Sequence, residues 1–317
     1  MTEPPAGSPA ATVAVVGATA TGKSELAIAL AQRLGGEVVN ADAMQLYRGM
    51  DIGTAKVAVA DRRGIAHHQL DVLDLRDEAS VAAYQRASRA DVTAIRRRGR
   101  RPVLVGGSGL YVRAALDRLE IPPTDPAVRA RLNRELETDG VASMRRRLVD
   151  QDPVAAAAIE AGNGRRIVRA LEVVEITGRP FSATMPVREH LEPTVVIGLA
   201  AARVVLDDRI DRRVNRMWAE GLLDEVERLL GLGLRDGPTA ATALGYRQAV
   251  AQLDGHLSRD EAVDATAAAT RRLARRQESW FRPDPRISWL PHDAPDLLDR
   301  ALGLVAAGAA PTETLSP

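Results

Sequence analysis

Cysteine is absent from this 317-residue chain, which excludes a disulfide framework, a thiolate metal site and cysteine redox chemistry. No apolar run approaches the length needed to span a bilayer. The Pro- and Ala-rich start, 1–11, lacks the charged and apolar regions of a signal peptide and reads as a disordered leader. Residues 306–317 read as a disordered tail. These absences point to the cytoplasm, with no membrane partner. There is little net charge either, +1 at pH 7, so a nucleic-acid partner has to be held by a local patch rather than by the whole molecule. No internal repeat or low-complexity block is present. Lysine is nearly missing: of 43 basic residues only Lys23 and Lys56 are lysine. A compact ammonium enters places that a planar guanidinium cannot, so a lysine kept among arginines marks a candidate site. Chance accounts equally well for Lys56, but not for Lys23.

What is present is ordinary for a globular protein, 45% hydrophobic and 27% charged, and long enough for a full α/β core and a second, smaller lobe. Residues 12–16 form an apolar, β-branched run, the pattern of a buried parallel strand. Gly17, Ala18, Thr19, Ala20, Thr21, Gly22, Lys23 and Ser24 follow. Helical spacing continues at Leu26, Leu30 and Leu34, and Gly35-Gly36 closes the helix. Strand, glycine loop and helix in that order make a phosphate site. Loop N–H groups converge on an anion at the positive helix end, Lys23 reaches the outer phosphate, and the Ser24 hydroxyl is placed for Mg²⁺. This selects a di- or triphosphate without saying which.

Residues 37–40 read as the next strand, with Ala41, Asp42, Ala43, Met44 and Gln45 at its carboxyl end, where ligands of open parallel sheets sit. There Asp42 can bind a metal, orient an acceptor hydroxyl or remove a proton; as an Asx-type turn residue it has equal weight. Strand and helix signals alternate through residue 120, with a strand and its exit at 67–74, a helix over 79–98, a strand over 101–105 and a helix over 109–116. His67 and His68 are adjacent on a strand, so their side chains point to opposite faces and do not converge on a metal. Asp71 and Asp74 are secondary candidates for holding Mg²⁺ through water. From about 126 to 177 everything reads helical, punctuated by Gly140, Pro153 and Gly162-Asn163-Gly164. Residues 195–199 restore a core strand, and 206–230 form one long amphipathic helical region. Basic clusters at Arg145-Arg146-Arg147 and at Arg165-Arg166 with Arg169 suggest an RNA-backbone clamp. Late arginines at 271, 272, 275, 276 and 282 are interleaved with Trp280 and Phe281, a pattern suited to single-stranded RNA. Phe281 itself reads as core.

The segments 17–24, 41–56, 103–111, 165–173, 245–248 and 274–282 together resemble the tRNA dimethylallyltransferase family, in register over nearly the whole chain. Departures are Ala18 for Pro, Ala43 for Ser, Ser108 for Thr, Leu273 for Tyr, and Gly162-Asn163 for an Asn-Asp pair. The resemblance implies a P-loop NTPase-like, doubly wound parallel α/β sheet with an all-helical insertion domain. The expected parts are a core over 12–120 and 194–305, its end carrying the basic helices, and a tRNA-contacting insertion over 121–193. The implied reaction moves a dimethylallyl group from dimethylallyl diphosphate to N6 of the adenosine 3′ to the anticodon (position 37). The substrates are tRNAs reading codons that start with U, the products N6-dimethylallyladenosine and diphosphate, the cofactor Mg²⁺, and the protein a monomer. Asp42 is then the base, Lys23 and Arg213 hold the diphosphate with residues 17–24, and Ser108 positions RNA. The anticodon stem-loop is met by Asp42, Ala43, Met44, Gln45, Ser108, Arg129, Arg165, Arg166, Ile167, Val168, Arg169, Thr242, Gly245, Tyr246, Arg247, Arg276 and Trp280. A P-loop kinase using Asp42 on an acceptor hydroxyl and a non-catalytic P-loop RNA adaptor are the rivals. The basic, aromatic late helix argues against the first, and the retention of Lys23 with Asp42 against the second.

Overall fold

A computed structural model describes residues 11–184 and 188–308. Of the leader expected over 1–11 and the tail expected over 306–317, residues 1–10 and 309–317 lie outside the described residues; Ala11, just before the first strand, is buried, and 306–308 are helical, so neither is loose. The chain divides into two compact units, one built from the chain up to Leu116 and from His190 onward, the other from Asp117–Glu189.

In the first unit, strands β1 (Thr12–Gly17), β2 (Gly36–Asn40), β3 (His67–His68), β4 (Arg101–Gly106), β5 (Thr194–Ala200) and β6 (Ile287–Pro291) form one parallel sheet of order β3-β2-β4-β1-β5-β6. β1 is central, with Val15 opposite Val105 on one side and Ile197 on the other. All six of its residues are buried, as a strand covered on both faces requires. Helix α1 (Lys23–Leu34) follows β1, and α2 (Val81–Arg97) starts at Ser80, whose hydroxyl accepts from the Ala83 amide. Helix α3 (Gly109–Leu116) follows β4. One core cluster joins Val13, Val15, Leu26, Leu30, Val103 and Ile197 with late-chain residues Ala301 and Val305.

The second unit is helical: α4 (Pro126–Gln151), α5 (Pro153–Ala158) and α6 (Gly164–Thr177). Asp125, Asp152 and Asn163 cap the three helices with their side chains, and Pro126 and Pro153 fill first-turn positions whose N–H has no helical partner. Gly140, at φ 76°, breaks α4, as the sequence punctuation predicts. Leu132, Met144, Leu148, Ile159, Ile167 and Leu171 make its core.

Back in the first unit, β5 leads into α7 (Arg203–Ala219), α8 (Leu222–Gly231), α9 (Tyr246–Leu253) and α10 (Arg259–Phe281), and α11 (Leu297–Gly308) follows β6. The single amphipathic stretch expected over 206–230 is two helices, because Gly221 takes a left-handed conformation (φ 96°) that ends α7 and starts α8. A reciprocal Ser258–Glu261 capping box starts α10. Phe281 is buried, as expected of a core residue.

Candidate active site

The sheet order does the assembling. Reading β2, β4, β1, β5 across the sheet, the loops at their carboxyl ends carry Asp42, Ser108, the glycine loop and the start of the helix that bears Arg213. Residues far apart in sequence are therefore neighbours along one edge, outside the strand ends where parallel sheets bind ligands.

The glycine loop is tightly specified. Gly17 has φ 138°, and a Cβ there would meet the Leu199 carbonyl oxygen at 2.7 Å, so only glycine lets β1 turn into the loop beside β5. The Thr21 hydroxyl donates to the Ala18 carbonyl at 2.8 Å. The loop is also held from outside. Arg209 Nε donates to the Ala20 carbonyl at 2.7 Å, Arg213 Nη1 to Thr19 Oγ1 at 3.3 Å, and the Thr19 amide to Gln277 Oε1 at 2.8 Å. Lys23 turns its ammonium back on the Ala18 carbonyl at 2.6 Å. Burial first, and then the Arg213 guanidinium, lower its pKa to about 7, while Asp42 opposes the shift. Burial likewise lowers the pKa of Arg213, again against the pull of Asp42. A buried lysine whose charge burial and Arg213 disfavour, on a loop that Arg213 also bonds, makes a candidate place for an anion.

Asp42 forms the Asx-type turn that its position allows. Its Oδ1 accepts from the Met44 amide at 3.0 Å, the Asx-type turn, and its own amide donates to Asn40 Oδ1 at 3.0 Å. Burial first, then Tyr47 and Asp42, push the pKa of Tyr111 up to about 12. Ser108 Oγ accepts from the Ala43 amide at 3.4 Å, so the backbone supplies the contact that the Ala43 side chain cannot. Met44 and Gln45 are half-buried beside it, and Gln45 Nε2 donates to the Thr54 carbonyl at 3.1 Å.

Lys56 lies further along the loop that follows Asp42. Its side chain is 3% exposed, and its Nζ bonds the Tyr47 carbonyl at 2.9 Å, Asp51 Oδ1 at 2.7 Å and Asp71 Oδ1 at 2.6 Å. Asp71 and Asp74, the secondary candidates for holding Mg²⁺ through water, are paired with Lys56 and Arg48 respectively. Among the described residues no group of three or more His, Asp or Glu side chains is placed for a metal. The Ser24 hydroxyl, at the start of α1, is the kind of single protein donor that suits an ion bound mostly through phosphate oxygens and water.

Of the RNA-contact candidates in this unit, Thr242, Arg247, Arg276 and Trp280 are exposed, and Gly245 carries the φ of 85° that starts α9. The exposed Trp280 indole lies over Gly109, so closely that any Cβ there would collide with it. Tyr246 needs correction. It is fully buried, its hydroxyl donating to Glu225 Oε1 at 2.6 Å, and so it anchors a loop rather than touching RNA. Glu225 completes that anchor by accepting from the amides of Asp51 and Ile52 at 3.2 and 2.9 Å. No sequence signal marked Glu225. Gln277 was passed over too, although a glutamine following four arginines on one helix was visible.

In the helical unit, a groove of about 620 Å³ is lined by Arg129, Asn133, Asn163, Arg165, Arg166, Val168 and Arg169. Buried Glu172 holds Arg129 and accepts from Arg169 Nη1 at 2.7 Å. Arg165 and Arg166 are exposed, with no side-chain partner among the described residues. Ile167 and Val168, read as RNA contacts, are buried in this unit's core, because the apolar face of α6 has to pack on α4. In the 145–147 cluster Arg145 donates to the Ile159 carbonyl and Arg147 to Glu135, while Arg146 is exposed.

The sequence matches the family described as IPP transferase over residues 45–284. It is 58% identical to a tRNA dimethylallyltransferase of Nocardioides sp. over 296 residues, 93% of this chain and 96% of that one. Identity to the enzyme of the same name from Thermobifida fusca is 58% over 298 residues, 92% and 93% of the two chains. The fold is similar to the crystal structure of the full-length tRNA isopentenylpyrophosphate transferase of Bacillus halodurans, with TM-score 0.69, 38% identity, and 94% and 98% of the chains covered. It is also similar to a eukaryotic dimethylallyltransferase acting on tRNA, with TM-score 0.79, 26% identity, and 93% and 77% covered. With the crevice built as described, this chain belongs to the IPP transferase family.

Proposed function

We propose that the chain transfers a dimethylallyl group from dimethylallyl diphosphate to N6 of the adenosine 3′ to the anticodon, position 37, in tRNAs reading codons that start with U. The products are N6-dimethylallyladenosine and diphosphate. The carrying observation is that Lys23 and Arg213 both bond the glycine loop, with Asp42 acting electrostatically on each of them. Tight similarity to tRNA dimethylallyltransferases supports the reaction class, and the lack of a helix able to cross a membrane among the described residues suits a cytoplasmic RNA substrate.

The diphosphate takes the anion place, on the glycine-loop amides, Lys23 and Arg213. Lys23 then exchanges the Ala18 carbonyl for phosphate oxygens. Mg²⁺, held by Ser24 and the substrate's own oxygens, would supply charge neutralisation. The adenosine leaves the loop stack, at a cost of a few kcal/mol that flipped-base enzymes offset with stacking and phosphate contacts. Its amine is a weak nucleophile because the lone pair is delocalised into the ring. As the allylic C–O bond breaks and the N6–C bond forms, Asp42 accepts the N6 proton. Oδ1 is engaged by the Met44 amide, which leaves Oδ2 as the acceptor. Charge gathering on the departing diphosphate is met by cationic donors already in place. Ser108, bonded to the Ala43 amide, fixes the wall against which the base lies, and Arg165, Arg166, Arg275 and Arg276 supply phosphate contacts.

The test combines protein, labelled dimethylallyl diphosphate, Mg²⁺ and unmodified tRNA. Acid-stable label on the RNA is expected. Label transferred from ATP to a small acceptor, with none from the allylic donor, would establish the kinase instead.

A further inference from the structure

Helix α10 carries Arg271, Arg272, Arg275 and Arg276, yet the next residue, which faces the glycine loop, is Gln277. It is 8% exposed, and only one end of its carboxamide is engaged. Oε1 accepts from the Thr19 amide at 2.8 Å. Nε2 presses against Gly107, where a Cβ would collide with it; it has no hydrogen-bond partner among the described residues and is not sealed from the crevice. An amide N–H₂ that opens on the crevice with no protein acceptor is free to donate to a ligand oxygen that arrives there.

Its surroundings say which acceptor. Thr19 is shared with Arg213, which bonds the same residue through Oγ1, and Gly107 adjoins Ser108. The free N–H₂ group is therefore placed between the glycine loop and the β4–α3 loop, beside the cations that define the anion place. A carboxamide also does what no other side chain of its length can do here. Arginine or lysine has no acceptor for the Thr19 amide, and glutamate has no donor for an anion.

We propose that Gln277 is a further diphosphate-binding residue: Nε2 donates to an oxygen of the allylic diphosphate while Oε1 keeps the glycine loop in its receptive shape. The assignment rests on the transferase reading and adds a neutral donor to the cationic ones.

Two variants separate the two ends of the amide. Gln277→Glu keeps the acceptor for Thr19 and removes the donor; Gln277→Met removes both without adding charge. Inorganic pyrophosphate is titrated calorimetrically into the full chain, and anticodon stem-loop RNA is titrated in parallel. Both variants are expected to weaken pyrophosphate binding at least tenfold, to raise KM for dimethylallyl diphosphate by a similar factor, and to leave RNA affinity within twofold. Pyrophosphate affinity unchanged in Gln277→Glu, or a loss confined to Gln277→Met, overturns the assignment and leaves a purely structural amide. Loss of RNA affinity with intact pyrophosphate binding overturns it too. Absence of label transfer by the unaltered chain counts against the transferase reading itself and is read separately.

Discussion

The two lysines of this arginine-rich chain occupy opposite situations. Lys56 is sealed in, with a carbonyl and two carboxylates taking its three donors. Lys23 has one carbonyl and a repelling arginine, and its pKa falls to about 7 through burial and that repulsion. One ammonium is satisfied by the fold and the other is left wanting an anion. An ion that folding has already neutralised is architecture, whereas one that burial and a like charge disfavour marks a candidate site.

The sharpest break of this contrast lies at the carboxylate facing Lys23. Asp42→Asn should reduce turnover by roughly 10²–10⁴-fold while tRNA affinity, measured by filter binding, is unchanged; unaltered turnover would remove it as the base. Next comes Lys23→Arg, which keeps the charge but not the width: kcat should fall by about 10²-fold or more, as for loss of one preorganised donor, with the melting temperature unmoved. Lys56→Met should reverse that pattern. It strands the Tyr47 carbonyl and two partly exposed carboxylates, so denaturant titration should show a loss of about 1–3 kcal/mol, while pyrophosphate affinity under folding conditions stays within a few-fold. A folded, catalytically dead Lys56→Met would make Lys56 a second site and dissolve the comparison.

Smaller effects lie farther from the crevice. Replacing Arg275 and Arg276 with Ala should lower the log–log salt slope of tRNA binding by about 0.7–0.9 per lost phosphate contact, with kcat at saturating RNA preserved. Last is Glu37, whose pKa is lowered chiefly by its hydrogen bond from Arg98. A depressed carboxyl pKa adds stability above its unfolded value, about 4.3, and the gain is lost as pH falls below that. The melting temperature of Glu37→Gln should therefore decline less steeply between pH 5 and 3 than that of the parent.

Local pattern carried the strands, the glycine loop and most helices, because strand–loop–helix order and capping are written within a few residues. Lys23 and Asp42 were marked for the same reason, each lying inside a short motif, whereas Arg213 was marked only through the family resemblance. The Gly221 break was missed because the apolar spacing runs on through it, and only the backbone angle interrupts the helix. Tyr246, Ile167 and Val168 were placed on RNA because a motif names residues without saying which face they occupy. Glu225 acts on amides more than 170 residues away, and a lone glutamate on an amphipathic helix gives no hint of that.

Trp280 is 45% exposed and yet immobilised against Gly109, which tolerates no side chain beneath it. A surface aromatic usually surrenders rotational freedom when a planar partner stacks on it. An indole already packed on one face has less of that freedom left to lose, so a planar partner stacking on its open face would be met by a partly preorganised surface.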